Sequence, residues 1–340
     1  MTKMLSAATL LVLQGNSGRG IIVHKISPRG LVMTFDNAMK FRADLTWSFT
    51  APLIFVILWS SGFTFAKMGL VHANPFTLLA LRYALVVVVL SPIYFILRPP
   101  LPRKRMDWVH QGVVGFLIQA MFFGFVYTAV THGVSAGGMG LIFSLQPIFV
   151  AILAPRLTGE LIGIKIWIGL VLGLIGTGLV IFARSMVEVA SVFGYCIAIC
   201  ATLSMTAATL YEKRFGVSWH PILSNLAQCG VGLLVAFPIG WFYEGFSIEW
   251  STELLIALFY LVVCNSLIAI TLLLAMIRRG KASKASALFF LVPPTSAVVA
   301  WLLIGEMIPP LAWVGMVIAT IGVAIVVARK FDGNDNSKKI

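Results

Sequence analysis

Five polar side chains stand inside otherwise apolar stretches of this sequence. One is basic and four are amides: Arg82, Gln119, Gln146, Gln228 and Asn265. A guanidinium offers N–H donors to a carboxylate or phosphate, and an amide both donates and accepts hydrogen bonds. Four aromatic residues accompany them in the sequence pattern: Trp59, Phe63, Phe123 and Tyr127. A few polar groups among aromatic walls suit a small amphipathic organic molecule, so these nine residues are candidate binding residues.

The residue types that perform catalysis or hold metals are not gathered in the sequence. The 12 acidic residues lie in the tails, between apolar runs or at the ends of runs, so we expect no mid-membrane carboxylate that binds a proton or sodium ion. The four cysteines lie inside apolar runs without a nearby His or carboxylate, which predicts no disulfide and no metal site. Phosphate-binding and zinc-protease motifs are missing. We predict no enzyme activity and no cofactor.

The elements that must position these side chains are membrane helices. The 340-residue chain is 59% hydrophobic and 11% charged, far from the roughly 25% charge of soluble domains. A helix needs about 20 mainly apolar residues to cross the hydrocarbon core. Ten such runs occur, at about 50–69, 75–97, 109–130, 135–156, 164–183, 190–211, 221–243, 253–276, 283–304 and 311–328. The sequence therefore predicts an all-α integral membrane protein with ten transmembrane helices.

The ends of the chain differ from the rest. Residues 1–46 are polar, Gly-rich and basic, with one short apolar stretch from Leu5 to Leu13 that cannot span a membrane. We interpret this segment as a flexible tail or a misassigned start. Residues 331–340 are interpreted as a cytoplasmic tail.

A repeat organises the region between the two ends. Shifting the chain by 146 residues aligns Lys67 with Lys213, Pro75 with Pro221, Pro92 with Pro238, Pro147 with Pro293, Gly159 with Gly305, Glu160 with Glu306, Trp167 with Trp313, Gly169 with Gly315 and Gly176 with Gly322. Apolar bias does not align Pro, Trp and Glu by accident. The predicted domains are a first five-helix repeat, 47–184, and a second, 190–330. Because five is odd, the two copies have inverted topologies, an arrangement that recurs in secondary transporters.

The charge distribution fixes a predicted orientation. With cytoplasmic termini, the inner loops contain clusters such as Arg103 to Arg105, Lys213 with Arg214, and Arg278 with Arg279, whereas Lys67 and Arg184 are the basic residues of the outer loops. An excess of Lys and Arg is typical of cytoplasmic loops. The net charge of +13 is therefore assigned to topology, and we expect no nucleic-acid partner.

The sequence also resembles a known family. Leu58-Trp59-Ser60-Ser61-Gly62-Phe63 followed by Lys67, Leu81-Arg82-Tyr83, and the Gln146-Pro147 to Gly159-Glu160 module are similar to an EamA-type transporter of the drug/metabolite transporter superfamily. The second copy carries the resemblance through Pro293, Gly305-Glu306 and Gly315. The likeness covers about residues 50–330.

The resemblance implies export or exchange of amino acids and related metabolites across a bacterial inner (plasma) membrane. The partners are then a small-molecule solute and the lipid bilayer, with homo-oligomerisation left open. The alternatives are a translocator of phosphorylated or nucleotide sugars, which needs more basic residues than Arg82 facing the cavity, and a membrane-embedded enzyme, which needs a catalytic pair.

Several residues admit both a structural and a functional interpretation. Arg82 either anchors a solute carboxylate, or it snorkels outward or bonds a neighbouring carbonyl. Pro147, Pro293 and Pro294, expected mid-helix, are cavity-wall hinges or static kinks. The repeat-related Glu160 and Glu306 are interpreted as structural carboxylates near helix N-termini. Small residues in helices 5 and 10 are expected to allow close packing, within one chain or between chains. They are Gly169, Gly173, Gly176, Gly315, Ala319 and Gly322.

Overall fold

The structure is a computed structural model, and its secondary structure is helical. It describes residues 50–134, 139, 142–160, 162–184, 191–217, 219–279, 282–295, 298–299 and 309–327. Within these ranges the chain forms helices and their connections, with one isolated β-bridge between Ala73 and Ile248. The predicted tails, Glu306 and the side chain of Arg184 lie outside the described residues.

The helices follow the predicted apolar runs, eight of them to within four residues at both ends, while those described in the runs 135–156 and 283–304 cover only part of the run. In chain order they are α1 (Thr50–Leu70), α2 (Pro75–Leu97), α3 (Arg105–Thr131), α4 (Gln146–Leu157), α5 (Ile164–Arg184), α6 (Val192–Phe215), α7 (Pro221–Phe242), α8 (Thr252–Arg279), α9 (Ala285–Thr295) and α10 (Pro310–Val327). Among the described residues, α1, α2, α3, α6, α7 and α8 are long and apolar enough to cross a membrane, and the other four contain shorter apolar stretches. The count of ten membrane spans therefore stays a prediction.

Helix boundaries follow from local chemistry that the repeat has duplicated. Pro75 opens α2 and its repeat mate Pro221 opens α7, where the missing proline N–H is no loss because first-turn N–H groups have no helical partner. Ser191 and Ser251 cap α6 and α8 by accepting hydrogen bonds from the backbone N–H groups of Gly194 (3.0 Å) and Leu254 (3.1 Å). The proline start is thus shared by the two repeats, whereas both serine caps belong to the second repeat, and α3 in the first repeat starts after Lys104 without a side-chain cap.

The small residues of α5 and α10 pack against each other within one chain. A Cβ atom added at Gly176 would lie 2.3 Å from the backbone nitrogen of Ala319, and one at Gly322 would lie 2.5 Å from that of Gly173. Helix backbones can approach this closely only where side chains are missing. These small residues therefore pack within one chain. Homo-oligomerisation stays a prediction.

This contact gives a stability prediction. We expect Gly176→Ala to lower the free energy of unfolding by about 1–3 kcal/mol, the usual cost of overpacking, because the new methyl group meets the α10 backbone. Gly178→Ala is the matched control, since a Cβ there meets nothing within 4 Å. Thermal unfolding of the two purified variants in detergent measures the difference. Equal melting temperatures would contradict the α5–α10 packing.

The two ends of the bundle differ in charge. At one end, Trp108 of α3 contacts Trp219 before α7, with ring centroids 4.6 Å apart, and Arg278 of α8 pairs with Glu212 of α6. At the other end, the Glu244 carboxylate accepts a hydrogen bond from the Thr77 backbone N–H at 2.7 Å. The basic connections therefore lie at the first end and Glu244 at the second.

His72 completes the acidic end of the bundle. Its Nε2 lies 3.2 Å from the carboxylate of Glu253, and its Nδ1 lies 3.9 Å from that of Glu249. The Glu249 backbone N–H also donates to the carbonyl of His72 at 2.9 Å. The α1–α2 turn and the α7–α8 connection are thereby joined.

Pro147 occupies a different helical position from the one expected, whereas Pro293 and Pro294 lie inside α9. Pro147 is the second residue of α4, so the prediction that it lies mid-helix is wrong; the first turn accepts proline because its N–H groups need no helical acceptor. Pro293 and Pro294 follow a 3₁₀ turn, Leu288–Leu291. Because Pro294 has no N–H for the carbonyl of Phe290, the Thr177 hydroxyl donates to that carbonyl instead, at 3.1 Å. Their hinge role stays a prediction.

The carboxylate of Glu160 is buried at the junction between the repeats. Glu160 follows α4 and is 8% exposed. Its Oε1 accepts a hydrogen bond from the hydroxyl of Ser283, while Oε2 has no partner among the described residues. The observed partner thus lies in the helical turn Ala282–Ala287, which continues into α9, and not in α5. The structural interpretation of Glu160 and Glu306 stays a prediction.

Candidate functional site

Arg82 lies fully buried in α2 and is held by three side chains. Its Nε donates to the hydroxyl of Ser266 at 2.7 Å, one terminal nitrogen donates to Tyr127 Oη at 3.1 Å, and the other donates to Asn265 Oδ1 at 2.9 Å. Ser266 and Asn265 belong to α8 in the second repeat, whereas Arg82 and Tyr127 belong to the first. The guanidinium therefore joins the two repeats.

The charge of Arg82 is not neutralised by a carboxylate in the described part of the chain. Its Cζ lies 4.2 Å from the ring centroid of Phe123, a cation–π contact, and its acceptors are neutral. No ion pair among the described residues includes it. A buried charge without a counter-ion costs several kcal/mol, and hydrogen bonds and aromatic faces offset only part of that cost. The site therefore favours an anionic group.

A narrow cavity adjoins the guanidinium. Its lining includes six of the nine predicted binding residues: Trp59, Phe63, Arg82, Phe123, Tyr127 and Asn265. Gly62, Ala66, Val126 and Leu261 complete the lining. The cavity volume is about 10 Å³, room for about one water molecule. Helices must therefore move before an organic solute can reach Arg82.

Two π-helical segments place the amides of the site. Phe116–Phe122 interrupts α3 and Leu261–Ala269 interrupts α8. Gln119 and Asn265 lie near the middle of these segments, and the 146-residue shift aligns them with each other. π segments inside α-helices change the direction of side chains and frequently mark functional sites. Here one occurs in each repeat at matching positions.

Gln119 and Gln228 lie apart from the narrow cavity, in the contact between α3 and α7. A Cβ added at Gly115 would lie 2.8 Å from Gln228 Cα, and one at Gly232 would lie 2.7 Å from Gln119 Cβ. Both amide groups are fully buried, and their oxygen and nitrogen atoms have no partner among the described residues. The 146-residue shift aligns Arg82 with Gln228 and Gln119 with Asn265. The α3–α7 contact that contains the two glutamines is therefore the counterpart of the α2–α8 contact between Arg82 and Asn265.

Gln146 is not brought to this site. It lies at the start of α4 and donates a hydrogen bond to the Thr209 hydroxyl of α6 at 3.3 Å. It does not line the cavity at Arg82. Its role in binding stays a prediction that this geometry does not favour.

Two residues of the site, Ser266 and Gly62, were not among the nine predicted binding residues. Ser266 accepts the shortest hydrogen bond of Arg82, and its position next to Asn265 was the available signal. Gly62 makes room for the Asn265 amide, because a Cβ at Gly62 would lie 2.1 Å from Asn265 Nδ2. A single sequence does not reveal this contact, since it joins α1 to α8.

One short motif resembles an enzyme signature. Residues 133–137 have the sequence Gly-Val-Ser-Ala-Gly, the G-x-S-x-G spacing of serine hydrolases, and Ser135 lies outside the described residues. That motif works on a sharp turn between a strand and a helix. The described residues form no strand, so nothing in their architecture supports a hydrolase site.

Comparison with known proteins agrees with the repeat. A sequence profile of the EamA-like transporter family matches residues 46–182 and again residues 192–328. A "Probable amino-acid metabolite efflux pump" of Salmonella typhimurium is 24% identical over 286 residues, covering 80% of this chain and 92% of the pump. A protein with the same description from Escherichia coli is 22% identical over 284 residues, with the same two coverages.

A solved structure shows the same fold. A protein described only as "Crystal structure of protein" superposes with a TM-score of 0.69 at 18% identity, covering 82% of this chain and 95% of the solved chain. At that identity the similarity establishes architecture alone. Because the family profile matches both halves of the repeat, and hence most of the sequence, the chain belongs to the EamA-like transporter family.

Proposed function

We propose that the chain transports small organic metabolites that carry a carboxylate, amino acids among them, by alternating access around Arg82. One observation carries this proposal: a fully buried guanidinium joins the two repeats without a carboxylate partner among the described residues. A solute carboxylate supplies the missing negative charge. The aromatic rings of Trp59, Phe63 and Phe123 supply apolar contacts.

The description of the two bacterial relatives supports the same substrate class and favours export. A translocator of phosphorylated sugars must hold a dianion, yet Arg82 is the one basic residue in the described lining of the cavity. The carboxylate solute is therefore preferred. Transporter relatives and the missing catalytic pair in the described lining also favour transport over an enzyme activity.

The proposed topology has ten membrane spans and cytoplasmic termini, in the inner (plasma) membrane. Large apolar side chains face outward along the helices, among them Val88, Leu234 and Phe259, which are 65%, 75% and 68% exposed. Lipid suits these surfaces. Since the bundle end with Arg278 is basic and the end with Glu244 is acidic, the first is assigned to the cytoplasm.

A transport assay tests the proposal. Purified protein in liposomes is loaded with one unlabelled solute, and entry of the same labelled solute by exchange is followed. The panel contains amino acids, nucleosides and sugar phosphates. We expect exchange of amino acids and not of sugar phosphates. Exchange of sugar phosphates alone, or of no solute in the panel, would contradict the proposal.

The energy source gives a separate prediction. No carboxylate lines the described part of the central cavity, so we expect flux to follow the solute gradient. An imposed pH or sodium gradient alone should cause no accumulation. The candidate coupling carboxylates are Glu160, Glu212 and Glu306. Glu160 and Glu212 are buried at helix ends, and Glu306 aligns with Glu160 in the repeat. Ion-driven accumulation that is lost on replacing any of them with Gln would show the mechanism to be wrong.

A further inference from the structure

A second cavity, of about 380 Å³, lies between α7 and α8 at the basic end of the bundle. Trp219, Ser224 and Asn225 line it on the α7 side. Thr271 and Arg278 are among the residues that line it on the α8 side. No residue of the narrow cavity at Arg82 lines this one. The volume falls in the range of small-molecule sites, roughly 300–1,000 Å³.

The α8 wall of this cavity changes in chemistry along its length. Arg278 and Arg279 lie at the end of the helix, Leu274 and Ile270 give apolar contacts, and Thr271 adds a hydroxyl. From Ile270 to Arg279 the wall extends roughly 14 Å, at 1.5 Å per residue. A ligand with a charged end and an apolar body matches this sequence of surfaces.

The polar groups around Trp219 and Arg278 are mainly donors. The Trp219 Nε1–H is buried and has no hydrogen-bond acceptor among the described residues. Arg278 donates through Nε to Glu212 and through a terminal nitrogen to the Ser224 hydroxyl at 3.3 Å. Buried donors normally have acceptors. The Glu212 carboxylate that pairs with Arg278 is not among the described residues that line the cavity, so an acceptor supplied by a ligand fits the Trp219 N–H.

The cavity also lies close to the central site. Asn225 lines it and donates through Nδ2 to the backbone carbonyl of Ser266 at 2.8 Å. The hydroxyl of the same Ser266 accepts the hydrogen bond from Arg82. Ser266 is thus the one residue that links Asn225, in the wall of the second cavity, to the guanidinium of Arg82.

We propose that the α7–α8 cavity is a second binding site, which takes small amphipathic carboxylates and loads them next to Arg82. The carboxylate lies against Arg278 and the Trp219 N–H, and the apolar part lies on Ile270 and Leu274. This proposal rests on the transport function proposed above, and binding here is independent of Arg82. An anionic phospholipid headgroup shares the chemistry of the ligand, but Asn225 and Thr271 give the cavity polar surface where an acyl chain would lie.

Protection of an introduced thiol tests the site. Ala275→Cys places a thiol in the cavity wall, in a background with Cys196, Cys200, Cys229 and Cys264 replaced by Ser. Labelling by a soluble maleimide is timed in detergent with L-leucine, 4-methylpentanoate or isopentylamine. We expect both carboxylates to slow labelling at least threefold and the amine to have no effect. Adding Trp219→Phe should raise the half-protecting concentration at least threefold.

Two controls separate the outcomes. Arg103→Cys lies in an exposed connection at the same end, and its labelling should not change. Arg82→Ala should keep the protection at Ala275→Cys even where it abolishes transport, which separates this site from the central one. No protection, equal protection at Arg103→Cys, or loss of protection in Arg82→Ala would each overturn the proposal. Protection in nanodiscs by phosphatidylglycerol but not by the carboxylates would assign the site to lipid and also overturn it.

Discussion

Arg82→Ala should reduce amino-acid exchange by about a hundredfold or more, while the protein still inserts and purifies as a folded bundle. The expected size follows from breaking a buried charge pair, which costs about 3–5 kcal/mol, with about 1.4 kcal/mol per tenfold change in affinity. Folding should tolerate the change. The variant loses three hydrogen bonds to Ser266, Tyr127 and Asn265, but it also loses a buried charge that lacks a counter-ion among the described residues.

The measurement is exchange in liposomes, with thermal unfolding as the check on folding. Lys67→Ala is the matched control, because Lys67 is exposed at the end of α1 and does not line the cavity. Comparing an amino acid with its carboxamide separates the two roles of Arg82. If Arg82 binds the solute carboxylate, the variant loses discrimination between the pair. Unchanged exchange, or equal loss for both solutes together with a lower melting temperature, would contradict the carboxylate anchor.

The sequence was sufficient to predict the helices and the repeat because both depend on local composition. Pro75 and Pro221 open equivalent helices, and the small residues of α5 and α10 do pack closely. Apolar length and proline position are properties of one segment. They need no knowledge of which segments become neighbours.

The site was harder to predict because its contacts join distant segments. The sequence identified Arg82 and Asn265 as polar residues in apolar helices, and they are hydrogen-bonded across 183 residues of chain. It did not reveal the π segments that carry Gln119 and Asn265. A π segment adds one residue to a helical turn, and the spacing of apolar residues in the sequence does not show such an addition. The sequence also misplaced Pro147, because a break before α4 cannot be told from a kink within a longer helix.

The contact between Gly62 and Asn265 gives the second large effect. Gly62→Ala adds a Cβ that would lie 2.1 Å from Asn265 Nδ2, so the amide must move. Asn265 Oδ1 accepts the hydrogen bond from Arg82, and a hydrogen bond to a charged group contributes about 1.5–3 kcal/mol. We expect solute affinity to fall roughly tenfold to a hundredfold. The effect should be smaller than that of Arg82→Ala, because the guanidinium stays in place.

A matched glycine separates this effect from helix propensity. Gly230→Ala changes a half-buried glycine inside α7 where a Cβ meets nothing within 4 Å, so exchange should stay at the level of the unchanged protein. Combining Gly62→Ala with Asn265→Ala tests the mechanism directly. If the methyl group acts by displacing the Asn265 amide, the double variant should exchange no worse than Asn265→Ala alone, since the clashing atom is gone. Losses that add instead would show that Gly62 acts through another neighbour, such as the packing of α1.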